Sequence, residues 1–163
     1  MDRPIFIISP GRSGSSWTAK QFADAGVWHG MCRAPDKNNP MGYYENVKLK
    51  QCLIKLHGRD WLKPFPNEHP EWADEATAII RSQGYTGGPW LFKVGAVYWK
   101  CMRSFNPVYV KVWRPREKIL ASYHRLGWLN SGQNRYTESE IEQIIDRQHE
   151  AMGKIDGMDV QIP

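Results

Sequence analysis

The order of apolar runs along this chain predicts an α/β fold, a parallel sheet of about four or five strands with helices on both faces. Three observations carry that prediction. Ile5-Phe6-Ile7-Ile8 is an unbroken apolar run of strand length that opens into a small-residue turn and then a helical pattern. Val108-Tyr109-Val110-Lys111-Val112-Trp113 alternates β-branched and aromatic residues and also leads into a helical pattern. Amphipathic segments of helical period separate these runs, so each strand must return to the sheet through a helix. At 163 residues the chain is expected to form one domain, 1–163, with a core of its own.

The elements follow in order. Ser15 to Ala25 reads as a helix closed by Gly26, and Val27-Trp28 as a short second strand. His29 to Tyr44 is a loop by composition, with Gly30, Pro35, Asp36, Asn38, Asn39, Pro40 and Gly42; loops of that length are often functional. Glu45 to His57 carries Leu49, Cys52, Leu53 and Leu56 at helical spacing, with Gly58 just beyond. Pro64 to Pro70 is a further loop. Trp72, Ala76, Ile79 and Ile80 mark a helix ending before Gly84, and Pro89-Trp90-Leu91-Phe92-Lys93-Val94 is another strand. Thr137-Glu138-Ser139-Glu140 is a capping box that opens a helix with Ile141, Ile144, Ile145, Gln148 and Met152 on one face. Val160-Gln161-Ile162 reads as an edge strand or a tail.

Composition narrows the function classes. Hydrophobic residues make up 41% and charged residues 24%, ordinary for a globular protein, while eight tryptophans and seven tyrosines are many for this length. The net charge of +5 suits a polyanionic ligand. Zinc-finger spacing and aromatic RNA-binding signatures are both absent, so nucleic acid is not the expected partner. Cys32, Cys52 and Cys101 are odd in number and form no Cys-x-x-Cys pair, which argues against a disulfide framework or a structural zinc. No metal-ligand spacing is visible. With no apolar run of spanning length and the first strand entered by about residue 4, neither a membrane segment nor a signal peptide is expected. A reducing, cytoplasmic compartment is the simplest expectation.

The turn after the first strand, Pro10-Gly11-Arg12-Ser13-Gly14-Ser15-Ser16-Trp17, is the most informative segment. Such a turn aims backbone N–H groups and a helix N-terminus at one point, a cradle for a tetrahedral anion. Arg12 adds a permanent charge with forked donors. A nucleoside-triphosphatase P-loop would carry lysine after its last glycine. Here Ser15 follows Gly14, and the cation lies upstream at Arg12. A second element, Arg114-Pro115-Arg116, follows the Val108–Trp113 run, with Ser122 eight residues after Arg114. Two helical turns bring Ser122 back over the strand end. Pro115 fits the first turn of a helix. Both elements fall at the carboxyl ends of strands, where parallel sheets bind ligands.

Together these two elements resemble the sulfotransferases that use 3′-phosphoadenosine 5′-phosphosulfate (PAPS) as donor. The likeness runs from residue 4 to about residue 125. It implies a P-loop-like architecture and PAPS as co-substrate, without a metal. It further implies that Arg12, Ser13, Gly14, Ser15, Ser16 and Trp17 surround the 5′-phosphosulfate, and that Arg114 and Ser122 hold the 3′-phosphate. The strand ending Phe92-Lys93-Val94-Gly95 is similar to a family strand ending Lys-Thr-His, in which the histidine is the catalytic base. Gly95 replaces that histidine here, while Lys93 keeps its charge. Gly42-Tyr43-Tyr44-Glu45 resembles a Gly-aromatic-aromatic-Glu element of related sequences, which nominates Glu45 as general base. An acid at a helix start also serves simply to complement its dipole. His29 and Glu68 are weaker candidates.

The family's carboxy-terminal Arg-Lys-Gly loop is not found. The reaction implied is sulfuryl transfer to a hydroxyl or amine acceptor, recognised by loops such as His29 to Tyr44 and Pro64 to Pro70. Two alternatives stand beside it: a P-loop-like nucleotide or small-molecule kinase, and a nucleotide-binding domain without turnover.

Overall fold

The computed structural model describes residues 3–58, 60–63, 68–129 and 136–163. Four strands, β1 (Ile5–Ser9), β2 (Leu91–Gly95), β3 (Val108–Trp113) and β4 (Met158–Gln161), form one sheet in the order β2-β1-β3-β4. Every pairing is parallel, with Ile7 beside Lys93 on one side and Val110 on the other. This is the expected α/β architecture, a parallel sheet with helices on both faces.

The pleat of β1 explains why helices cover both faces. Phe6 and Ile8 point into one cluster and Ile7 into the other, and all three are fully buried. Beneath Ile7 lies α1 (Ser15–Asp24), which contributes Ala19 to a cluster with Val27, Leu91, Val110 and Val112. On the Phe6 face, α2 (Val47–His57) brings Leu49 and Leu53, and α3 (Glu71–Ser82) brings Trp72, Ala76 and Ile80. Aromatic edges interlock there: Phe6 meets Trp72, Trp90, Phe92 and Phe105 at centroid separations of 5.4–6.2 Å. A third cluster joins Ile119 and Tyr123 of α4 (Arg116–Arg125) to Ile141, Ile144 and Ile145 of α5 (Glu138–Gly153).

Several boundaries differ from the sequence pattern. Val27-Trp28 is not a strand; Trp28 makes a single parallel bridge to Trp90. The second helix begins at Val47, because Asn46 caps it by accepting from the Leu49 amide at 3.2 Å. Glu45 therefore lies ahead of the helix. Pro115 stands at the cap of α4 with an extended ψ of 139°, one step earlier than the first turn. Residues 96–105, to which the pattern assigns no element, form a 3₁₀ stretch, Ala96–Phe105, burying Tyr98, Cys101 and Met102. The capping box of Thr137 and Glu140 forms as expected. The carboxy-terminal segment resolves to an edge strand, with Asp159 beside Lys111 in register and 3.2 Å from its ammonium.

Candidate functional site

A cavity of about 330 Å³ opens where β1, β2 and β3 end, a size suited to a small ligand. The turn after β1 forms its floor. Gly14 adopts a φ of +88°, and the amides of Trp17 and Thr18 bond back to its carbonyl. The amides of Ser15 and Ser16 precede the first intrahelical bond and have no backbone partner among the described residues, the arrangement that meets an anion at a helix N-terminus. Packing is tight at both glycines of the turn. A methyl group at Gly14 would come 3.1 Å from Ile162, and one at Gly11 would come 3.0 Å from the Tyr123 hydroxyl. Arg12 itself holds a φ of +66°, a left-handed conformation that costs a non-glycine residue energy at a site where position matters.

The two predicted phosphate elements meet here. Arg12 Nε donates to Ser122 Oγ at 3.2 Å, and Arg114 Nη1 donates to the Arg12 carbonyl at 3.0 Å. The guanidinium of Arg12 also lies 5.3 Å from the centre of the Trp128 ring. Arg114 Nε is buried and has no hydrogen-bond partner among the described residues. Burial lowers the Arg12 guanidinium from its ordinary value, and nearby Arg125 and Arg114 act in the same direction. An anion at this point relieves both effects. Among the described residues, Arg12, Arg33, Lys50, Lys93, Arg114 and Arg125 line the cavity against one carboxylate, Glu45.

Glu45 faces the same cavity from the loop before α2. Its Oε1 accepts from Lys93 Nζ at 3.1 Å and its Oε2 from Lys50 Nζ. Burial alone would raise this carboxyl, but the ammonium groups of Lys93 and Lys50 outweigh it and hold the group below the ordinary carboxylate value. Lys93 projects from the α1 face of β2, and burial lowers it, with Glu45 offsetting part of the fall. Its Nζ also donates to Ser16 Oγ at 3.2 Å. Ser16 Oγ further accepts from Asn39 Nδ2 at 3.0 Å, so the turn, β2 and the long loop share one hydroxyl. The long loop is pinned in turn by Asp36, whose carboxylate accepts from the Tyr43 hydroxyl at 2.8 Å and pairs with Arg33 at 2.8 Å.

The structure thus gathers Arg12, Gly14, Ser15, Ser16, Trp17, Glu45, Lys93, Arg114 and Ser122 around one cavity. Ser13 is different. Its side chain is fully buried and its hydroxyl donates to the Pro10 carbonyl at 2.8 Å, so it shapes the turn from behind. Trp17 stays 48% exposed at the cavity mouth. His29 does not reach the site; its ring packs edge-on against Tyr44 and its Nδ1 lies 3.1 Å from the Gly30 carbonyl. Glu68 is equally remote, paired with Arg103 on a separate shallow pocket. Residues 64–67 of the second expected acceptor loop lie outside the described residues. The cysteines offer no ready thiolate, since burial pushes Cys32 and Cys52 up to about 12 and Cys101 up to about 11.

Lining residues that escaped the sequence reading include Lys50 of α2, Tyr98 of the 3₁₀ stretch, Tyr123 and Arg125 of α4, Trp128, and Gln148 of α5. For Gln148 the signal was present, a lone amide in the apolar stripe of α5. Its side-chain oxygen is buried without a partner among the described residues. Among those residues no cluster of three or more His, Cys, Asp or Glu could hold a metal ion, and no helix is long and apolar enough to cross a membrane.

No protein-family model matches this chain, and no curated protein matches it. Among solved structures, the crystal structure of TT1252 from Thermus thermophilus is similar, with a TM-score of 0.51 over 99% of this chain and 88% of that one. The two sequences are 13% identical, and the likeness concerns the fold alone.

Proposed function

We propose that this protein is a PAPS-dependent sulfotransferase acting on a hydroxyl or amine acceptor. The observation that carries the reading is the convergence of Arg12 and Arg114 on one cavity, linked through the Arg12 carbonyl and Ser122. A nucleotide phosphorylated at both the 5′ and 3′ positions needs two cationic grips, and a cavity lined by six cationic side chains suits its charge. The missing lysine after Gly14 weighs against ATP–magnesium chemistry.

In this reading the chain acts mainly by position and fixed charge. Backbone donors of Ser15 and Ser16, with Arg12 and Lys93, hold the phosphosulfate and stabilise charge on the departing phosphate. The acceptor oxygen or nitrogen forms its bond to sulfur as the bond from sulfur to the bridging phosphate oxygen breaks. The bridging oxygen keeps that electron pair, and the acceptor's proton passes to Glu45. Lys93 and Lys50 keep this carboxylate ionised and ready, at the expense of basicity.

Calorimetry tests the reading directly. Adenosine 3′,5′-bisphosphate should bind, and ATP–magnesium should bind at least ten-fold more weakly. Preference for ATP–magnesium would instead assign the cavity to a kinase. One observation favours a second reading, a nucleotide-binding domain without turnover: both Glu45 oxygens already accept from lysines. That reading predicts bisphosphate binding and no sulfated product from any acceptor.

A further inference from the structure

Five large apolar side chains stand exposed among the described residues. Four of them, Trp17, Met31, Met41 and Val47, gather at the start of α1, in the loop of residues 29–44 and at the start of α2. Hydrogen bonds join these segments into one surface. The Val47 amide donates to the Met31 carbonyl at 3.0 Å. Asn39 Nδ2 donates to Ser16 Oγ, which holds the loop around Met41 against the turn that carries Trp17. Arg33 lies 4.1 Å from the centre of the Tyr43 ring and lines the cavity with Trp17 and Met41. Exposed apolar side chains scattered singly mean nothing, but four gathered on joined segments mark a surface that something covers.

The charge on these segments says what kind of cover fits. Arg33, Lys37 and Lys48 are exposed there, and neither lysine pairs with an acid among the described residues. Both carboxylates between residues 29 and 48 are already engaged. Asp36 accepts from the Tyr43 hydroxyl and pairs with Arg33, and Glu45 sits between Lys93 and Lys50. We infer that this surface docks the protein onto a bilayer rich in anionic phospholipid. Tryptophan suits the headgroup level, methionine adapts to an irregular apolar layer, and lysine stems carry their charge out to lipid phosphates. An acidic protein fits less well, because lysine is depleted where proteins meet. The contact is peripheral and needs no spanning helix, and it does not depend on what the cavity binds.

The test is co-sedimentation of the full chain with vesicles of phosphatidylcholine alone, or of phosphatidylcholine with about a quarter phosphatidylserine. The native protein should bind the anionic vesicles at least about ten-fold more tightly, with a preference that shrinks as salt rises. Lys37→Glu with Lys48→Glu should weaken that binding by roughly 30-fold or more. The same change of charge placed elsewhere, Arg81→Glu on α3 with Lys118→Glu on α4, should cost less than about three-fold. Met31→Ser with Met41→Ser leaves the charge untouched and should still weaken binding by about ten-fold. Met158→Ser, at the other exposed apolar position, should change nothing. All these side chains are exposed, so melting temperatures should stay close to the native value.

A native chain that binds neither vesicle, or binds both equally, overturns the inference and leaves the surface to an acidic protein. Equal losses in the two charge-reversed variants overturn it as well, since they mark attraction of the whole basic molecule rather than docking by one face. So does full binding by the serine variant, which would take the methionines out of the contact. If the charge-reversed chain does not fold, Lys37→Gln with Lys48→Gln makes the same comparison against Arg81→Gln with Lys118→Gln. Nucleotide affinity plays no part in any of these readouts, so loss of the sulfotransferase reading would leave this result standing.

Discussion

At the scale of single residues, Arg114 and Glu45 make the sharpest tests. Arg114 braces the turn through the Arg12 carbonyl, and its buried Nε has no partner among the described residues. If that group meets a 3′-phosphate, Arg114→Ala should cost about 2 kcal/mol of adenosine 3′,5′-bisphosphate binding, roughly 30-fold. Binding of adenosine 5′-monophosphate should change far less. Equal losses for the two nucleotides would remove the assignment. Glu45→Gln should lower turnover by about 10² to 10⁴ while nucleotide affinity holds; unchanged turnover would take Glu45 out of the chemistry. The same variant has a signature in acid. A carboxyl held lower in the folded chain than in the unfolded one binds fewer protons when folded. Its contribution to stability is complete above the ordinary glutamate value of 4.5 and is lost as pH falls through the lower folded value. The difference in stability between native and Glu45→Gln protein should therefore shrink below that window, as measured by urea unfolding at stepped pH.

At the scale of elements, the turn between β1 and α1 is set by its neighbours as much as by its own sequence. Gly14 has a positive φ and lies against Ile162, just beyond the edge strand β4. Gly14→Ala adds a left-handed penalty of about 1–2 kcal/mol and a tight contact. It should lower the melting temperature by about 3–8 °C and weaken bisphosphate binding. Native-like melting with native-like binding would show that the turn is looser than its packing implies. The loop of residues 29–44 behaves as part of this element. Asp36 braces it internally through Tyr43 and Asn39 ties it to Ser16, so a stretch that composition marks only as irregular is anchored at the site.

At the scale of the whole molecule, the sheet brings distant residues to one rim. Arg12, Lys93 and Arg114 follow or end three different strands, and parallel pairing in the order β2-β1-β3 sets those ends side by side. The aromatic cluster on the Phe6 face packs beneath the strands that form this rim. Trp72 is fully buried and meets Phe6, Phe92 and Phe105. Trp72→Ala should cost about 3–5 kcal/mol and lower the denaturation midpoint without a change in the site's nucleotide preference. A variant that melts normally would place the core elsewhere.

The sequence by itself determined the α/β class, the strand–turn–helix carrying Arg12 and the strand–helix carrying Arg114 and Ser122. These are local patterns: hydrophobic period, turn chemistry and short spacings, each readable within about a dozen residues. Only tertiary structure decided that Glu45 ends between Lys93 and Lys50, that Ser13 turns inward and that Gln148 reaches the cavity from α5. Each depends on contacts between residues far apart in the chain or on the direction of one side chain, and local periodicity carries no record of either.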